Sequence, residues 1–586
     1  MNKKIIKKIA FIFSSFLIFT IINSCVREDI VSGKEPMRYT GTDVKSYADL
    51  FQLYWTTMDD RYNYFYEQKR RDGMDWNAVY REYYPKFAAL KSFQNLEYSP
   101  NQREEDSQKA KQYFKDIVDP ILDRHFVVRV LFPQAAAPLL SDTLTFRGGM
   151  KSREKTSQTL YNYKTKYSYM KDKLIDDYMD YKYLNDKNEV EFSMLGGRLK
   201  SNQDIYYLTF PEFNFKGNGQ AYLFSKGKYL TASTDDKNIL TPSEIENNTL
   251  LNNIKDESNK QFVKKESLEI LKKYNDLFAS NDIKNFNYLM DKFREDDILS
   301  KDILDAAKKV NSINFPSMEL LEYNGQKFPP AVFVSIQGLV TEENIPYFMW
   351  LAKRLDEHYM AHNLVEFVLD YKRITKVAPL YQKFLNPLQR GEIKKIIIDL
   401  RGNGGGAAAD IKNFVARFIT KATTFAYQRT KEGSGRFNYT QWIPQVIKPH
   451  RFAMPNAIPM AILTDKGSVS MSEISTIAWK SQGKQVLSIG DYTYGATAGL
   501  TPFHDDYNGG LNTYSSTNPY IANRILFYMP AMATKDMNGE VVEGIGIKPD
   551  IYVEPPTAQE VEEMKNSPQT HIDRTLREAI NVLSSK

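Results

Sequence analysis

The strongest constraint on this 586-residue chain lies after Glu392, where short buried-type runs lead into glycine-bearing turns three times in succession. Ile396-Ile397-Ile398 ends in Asp399-Leu400, breaks into Arg401-Gly402-Asn403-Gly404-Gly405-Gly406 and continues as an alanine-rich, helix-like AAADIKNFVARFIT. Pro459 to Leu463 ends in Thr464-Asp465-Lys466-Gly467 and is followed by SMSEISTIAWKSQ. Lys484 to Ile489 leads into Gly490-Asp491-Tyr492-Thr493-Tyr494-Gly495. Strand, glycine turn and helix in series predict parallel strands joined by crossover helices. Ligands then bind at the carboxyl ends of the strands, where these turns lie.

Composition removes several function classes. With 42% hydrophobic and 26% charged residues, the chain can build a core rather than remain disordered. A net charge of +6 over this length is no nucleic-acid footprint. Cys25 is the only cysteine, so an intramolecular disulfide and a cysteine-based zinc cluster are both excluded. Any histidine chemistry must use His125, His358, His362, His450, His504 or His571.

The first 24 residues read as a targeting segment. Lysines at 3, 4, 7 and 8 precede the apolar run Ile9–Ile22, and Asn23-Ser24-Cys25 follows. This is the layout of a secretory signal, and the run is shorter than the roughly 20 apolar residues of a spanning helix. With Ile22 and Ser24 ahead of Cys25, it resembles a bacterial lipobox. That resemblance implies a lipid on Cys25, which tethers a chain to a membrane without spanning it. Arg27-Glu28-Asp29 resembles the surface-export signals of some Bacteroidetes lipoproteins. The expected location is beyond the inner membrane, on the outer membrane or the cell surface.

The remaining organisation is read as a tether over 25–41, a helical domain over 42–133 and a small mixed region over 134–204. A first core strand over 205–216, an Asn-, Lys- and Ser-rich insertion over 217–327 and the main core over 328–586 complete it. Aromatic and aliphatic residues three and four apart predict helices between Tyr47 and Phe132, with Asp75 as an N-cap. The lysines of the insertion read as a solvated face.

Two motifs can carry chemistry. In Gly467-Ser468-Val469-Ser470-Met471-Ser472-Glu473, a serine between strand and helix can present its hydroxyl at the sheet edge, with N–H groups facing a developing oxyanion. The same serines also suit capping and turn chemistry. In DLRGNGGG, the glycines let backbone N–H groups approach a substrate closely. The Lys-Ser/Thr ending of a nucleotide-binding loop is missing.

Taken in order, DLRGNGGG, TDKGSVSMSEI, GDYTYGATAG and EGIGIKPDIYV (543–553) resemble the C-terminal processing, or tail-specific, serine peptidase family and its tricorn-like branch. The resemblance implies an α/β fold with a crotonase/ClpP-like peptidase core. It covers 392–586 well and reaches more loosely to Ile121-Leu122-Asp123-Arg124-His125 and to IYYLTFPEF. It implies Ser470 as nucleophile, with Met471 N–H and a glycine N–H of the 404–406 run (Gly404 or Gly405) as oxyanion donors. Ser–Lys members carry a lysine directly after the T-x-G turn; here Thr493-Tyr494-Gly495 is followed by Ala496, and Leu500 replaces the expected glutamine. Lys466 is near Ser470 in sequence but is expected to leave the strand end in an unrelated direction. The tricorn-like branch implies instead a histidine base at His125 and a glutamate orienter at Glu543. A histidine is poised near neutral pH, and a carboxylate holds its ring. His504, beside Asp505, is the rival base.

His358 and His362 share a helix face, but without a third ligand or HExxH order no metal site is expected. No cofactor is required. The expected function is a lipid-anchored serine endopeptidase acting on peptides or unfolded proteins. The alternative is an inactive peptidase fold that binds peptide or glycan at the cell surface. An acyl-CoA enzyme on the same fold is a remote third, since a secreted lipoprotein rarely meets coenzyme A.

Overall fold

The computed structural model describes residues 41–150, 161–184, 187–215, 232–313, 322–323, 326–327, 341–359, 364–432, 435–499, 524–530 and 532–586. Its centre is a seven-stranded sheet whose strands lie side by side in chain order. They are β1 (Met179–Leu184), β2 (Val190–Arg198), β3 (Ile205–Thr209), β4 (Lys395–Asp399), β5 (Met460–Thr464), β6 (Val486–Gly490) and β7 (Ile551–Tyr552). The first two pairings are antiparallel, and β3 through β7 are parallel, with Tyr207 opposite Ile397 and Ile397 opposite Ala461.

The unbroken apolar runs follow from burial on both faces. Successive side chains point to opposite sides of a strand. Tyr206, Leu208, Ile396, Ile398, Met460 and Ile462 therefore enter one core. Ile205, Tyr207, Ile397, Ala461 and Leu463 enter another, beneath helices Tyr163–Lys171 and Arg574–Ser584. Each of the isoleucine, leucine and methionine side chains among them, once fully buried, contributes about 1.5–3 kcal/mol.

The segment 41–150 forms helices α1 (Tyr47–Arg61), α2 (Phe65–Asp72), α3 (Trp76–Ala88) and α4 (Pro100–Val118). Side-chain caps explain where three of them start: Ser46 accepts Asp49 N–H, Asp75 accepts Asn77 N–H, and Ser99 forms a capping box with Gln102. The periodic run 47–66 is not one helix. It breaks at Tyr62, whose backbone is extended, and the Asn63 amide donates to Pro530 O at 3.2 Å. These helices pack on a small antiparallel sheet of Val127–Pro133, Ser141–Arg147 and Ile525–Tyr528. Phe51 stacks on Phe87 at 4.9 Å and Tyr54 meets Phe114 at 5.5 Å.

Among the described residues of the insertion, helices Glu257–Ala279, Asn281–Asp296 and Lys301–Asn311 share the larger core with Ile345–Tyr359 and with the sheet. The alanine-rich stretch after the glycine run differs from expectation. It yields only a short helix at Asp410–Asn413 and a 3₁₀ turn at Val415–Phe418. Asp410 spends its carboxylate on Phe215 N–H at 2.8 Å, and Phe414 stacks on Phe215 at 3.9 Å. Tertiary contacts thus override the helix propensity of the alanines. No helix among the described residues is long and apolar enough to cross a membrane.

Candidate active site

Four turns meet at the carboxyl ends of β3 to β6. In the turn after β5, Ser468 Oγ donates to Leu400 O at 2.8 Å and accepts Asp465 N–H at 3.1 Å. Asp465 accepts Gly402 N–H at 3.0 Å and Gly467 N–H at 2.8 Å. Ser470 ends the turn at φ 56° and ψ −111° and opens helix α5 (Met471–Lys480). A non-glycine residue held there stores about 1–3 kcal/mol and persists only when its surroundings overdetermine it. Val469 N–H donates to Asn403 O at 3.0 Å, and Ser470 N–H to Glu473 Oε2 at 3.0 Å. A strained serine between strand and helix exposes its hydroxyl above a sheet.

Asn403 joins the glycine run to that turn. Its Oδ1 accepts Gly405 N–H at 3.0 Å and Ser472 Oγ–H at 2.5 Å, and its Nδ2 donates to Phe210 O at 2.8 Å. Gly404 N–H donates to Pro211 O at 3.1 Å. Both glycine donors expected from the sequence are therefore spent inside the protein. Among the described residues, the N–H groups of Gly406 and Met471 enter no hydrogen bond. Gly405, at φ 89°, presses against the serine turn: a Cβ there would lie 2.7 Å from Ser470 Cβ and 2.9 Å from Met471 N. The missing side chain keeps the space beside Met471 N–H open.

The 493–498 turn after β6 connects two buried carboxylates. Glu473 accepts Thr493 Oγ1–H at 2.6 Å, Gly495 N–H at 2.7 Å and Ala496 N–H at 2.8 Å. Glu543 accepts Thr497 N–H at 2.7 Å, Ala498 N–H at 2.9 Å and Arg124 N–H at 2.9 Å. Burial pushes both carboxyls above their ordinary range; for Glu543 the neighbouring Asp123 adds to the effect. His125 and Glu543 are brought together here: their ligand-type atoms, with one of Asp123, all lie within 4.8 Å of one another. Asp123 Oδ1 accepts His125 N–H at 2.8 Å.

The helical domain presents this turn. Gln68 Oε1 accepts Leu122 N–H at 3.1 Å, and Tyr62 Oη accepts Asp123 N–H at 3.2 Å. Arg71 donates to Glu543 O at 2.6 Å and also to Val541 O.

A buried ionic network lies under the turns. Arg401 grips Asp399 (3.0 and 2.7 Å) and Asp573 (2.9 and 2.7 Å), while Lys166 donates to Asp399 at 3.1 Å and the Tyr207 hydroxyl donates to Asp399 at 2.7 Å. Burial alone would raise the Asp399 carboxyl, but Arg401 and Lys166 hold it well below the usual range.

Other predicted positions have other outcomes. Lys466 does not leave the site: its Nζ donates to Thr493 O at 3.2 Å and lies over the Tyr492 ring at 5.2 Å. His358 Nδ1 accepts Leu240 N–H at 3.3 Å. Cys25, His504 and His362 lie outside the described residues. Asp123, His125 and Glu543 form a donor set that suits a cation, although Glu543 already receives three backbone N–H groups. Sequence reasoning missed the roles of Asp123, Asn403 and Glu473; the only local signal was the Ser470–Glu473 spacing.

Part of this site lies in a segment with known relatives. Residues 368–553 match the family model for peptidase family S41. The chain is 26% identical over 178 residues to the carboxy-terminal processing protease CtpB of Bacillus subtilis (strain 168), which covers 30% of this chain and 31% of that protein. A crystal structure of a candidate peptidase from Parabacteroides merdae ATCC 43184 covers 92% of this chain and 97% of its own, at 15% identity and a TM-score of 0.44. One of a candidate S41 protease from Bacteroides fragilis NCTC 9343 covers 47% and 59%, at 16% identity and a TM-score of 0.25. The matched segment contains Ser470, Glu473 and Glu543, whereas His125 lies upstream of it. The strand-and-turn unit that carries Ser470 thus lies within the segment that matches peptidase family S41, and this chain is similar to C-terminal processing peptidases over that segment.

Proposed function

We propose that this protein is a serine endopeptidase that cleaves peptides or unfolded proteins through an acyl-enzyme on Ser470. The observation that carries the reading is the strained Ser470 backbone at the start of α5, linked through Glu473 and the 493–498 turn to the Glu543–His125 cluster.

In this reading Ser470 Oγ attacks the peptide carbonyl carbon and its proton passes to His125. The N–H groups of Met471 and Gly406 receive the oxyanion. The imidazolium returns its proton to the departing amine, and a water activated by His125 then releases the acyl group. Glu543, with Asp123 beside it, orients the ring. The histidine replaces the lysine that Ser–Lys relatives carry at the position of Ala496. A lipid on Cys25 anchors the enzyme to the outer membrane or cell surface.

The test is cleavage of a denatured protein by the full chain in detergent, beside Ser470→Ala and His125→Ala. Loss in both variants, with cleavage by the unmutated chain insensitive to a metal chelator, supports the reading. Loss in Ser470→Ala alone moves the base to His504 or elsewhere. No cleavage by the unmutated chain on several unfolded substrates favours a binding protein. Membrane fractionation of Cys25→Ser tests the anchor, which predicts release into the soluble fraction.

A further inference from the structure

We propose that Lys466 is a positioning residue of this site, one that holds the 493–498 turn in register for both carboxylates. The proposal rests on the serine-peptidase reading above. The turn is held by cations on one polar side and by carboxyl groups on the other. On the carbonyl side, the Lys466 ammonium takes Thr493 O at 3.2 Å and the Arg124 guanidinium takes Tyr494 O. Each cation also lies over an aromatic ring in or beside the turn, Lys466 over Tyr492 at 5.2 Å and Arg124 over Tyr494 at 4.9 Å. On the N–H side, Gly495 and Ala496 point to Glu473, and Thr497 and Ala498 point to Glu543. Two consecutive carbonyls fixed by cations thus set four consecutive N–H groups against two carboxylates.

Lys466 also belongs to the turn that ends in Ser470. Tyr494 N–H donates to Ser468 O at 3.0 Å, so the lysine adds a second, charged link between the same two turns. The strands below do not depend on it. The β5–β6 pairing, and the Thr464 Oγ1 to Asp491 O bond of 2.9 Å, remain when its side chain is removed. Truncation should therefore leave the fold intact and loosen the geometry between nucleophile and base. A charge-assisted bond to a backbone carbonyl can be rebuilt by arginine but not by methionine.

The experiment compares the full chain in detergent with Lys466→Met, Lys466→Arg and Ser470→Ala. The readouts are steady-state cleavage of an unfolded protein, labelling by a fluorophosphonate serine probe, and hydrogen exchange of the 493–498 amides. Lys466→Met is expected to lower kcat about 10- to 100-fold with KM little changed, while exchange at 493–498 quickens and exchange in β4 to β6 does not. Lys466→Arg is expected to restore kcat to within about threefold. Unchanged kcat and unchanged exchange in Lys466→Met would overturn the proposal. So would a loss that arginine does not rescue, or one spread through the strands. Failure of the serine reading shows separately, as probe labelling that survives in Ser470→Ala or is absent from the unmutated chain.

Discussion

Glu473 and Glu543 sit on either side of one short turn and divide its N–H groups between them, two each, in strict succession from Gly495 to Ala498. One carboxylate also holds the amide of Ser470 and the other the amide of Arg124, next to His125. Ser470 and His125, more than 300 residues apart in sequence, are thereby referenced to one piece of backbone. Geometry held in this way by buried hydrogen bonds is costly to disturb.

The backbone of Ser470 separates stability from function. Glycine adopts its φ and ψ without the penalty that any L side chain incurs. Ser470→Gly should therefore be more stable than Ser470→Ala by about 1 kcal/mol, while both lose cleavage. Urea unfolding of the two variants checks this; equal midpoints would show that the turn is unstrained.

Gly405→Ala should lower cleavage about 100-fold with the helical domain intact. The added methyl would lie 2.6 Å from Val469 O and 2.7 Å from Ser470 Cβ, so the serine turn must move. A misplacement of about 1 Å at a reacting group costs on the order of 100-fold in rate. Probe labelling of Ser470 is the measurement, and labelling at the unmutated rate would refute the expectation.

Arg401→Met should destabilise the protein by about 3–5 kcal/mol, because Asp399 and Asp573 then remain buried without their shared cation. The effect should be largest above the ordinary carboxylate range. Asp399, whose folded value is depressed, contributes stability that is present there and is lost as pH falls. Asp399 loses this contribution only below its unfolded value of about 3.9, so urea denaturation at about pH 7 and about pH 2.5 gives both numbers.

Glu543 should act in the opposite direction. Its carboxyl is raised in the folded protein, chiefly by burial. Above the unfolded value of about 4.3, the folded chain retains a proton that the unfolded chain has released, so stability falls as pH rises through that window. Glu543→Gln removes this contribution. Plotted against pH from 4 to 8, the stability difference between the unmutated chain and the variant should shift in favour of the variant as pH rises. A flat difference would show that Glu543 has the same proton affinity in both states.

The parallel core was legible because both of its faces are covered, which leaves runs such as Ile396–Ile398 without polar interruption. The pairing of His125 with Glu543 was expected only from the resemblance to the tricorn-like branch: His125 ends the loosely similar segment Ile121–His125, and Glu543 opens the last of the four ordered motifs. What escaped prediction depends on partners distant in sequence. Nothing local to Glu473 says that residues 493–496 will converge on it. Nothing local to Gly404 or Gly405 says that Pro211 and Asn403 will take their amides. Lys466 was assigned the wrong direction because a strand end alone does not show where the next strand's turn will fold back. The helix expected after Gly406 was lost to Asp410, whose carboxylate found a backbone amide almost 200 residues away.

The pairing of strand Val127–Pro133 with Ile525–Tyr528 sets an order of assembly. The hairpin that follows His125 waits for a partner strand made almost 400 residues later, and Glu543 comes later still. Closing so long a loop is entropically slow relative to local structure. The histidine end of the site is thus among the last parts to form. A chain still being synthesised therefore carries its serine turn before the cluster of His125 and Glu543 can be completed.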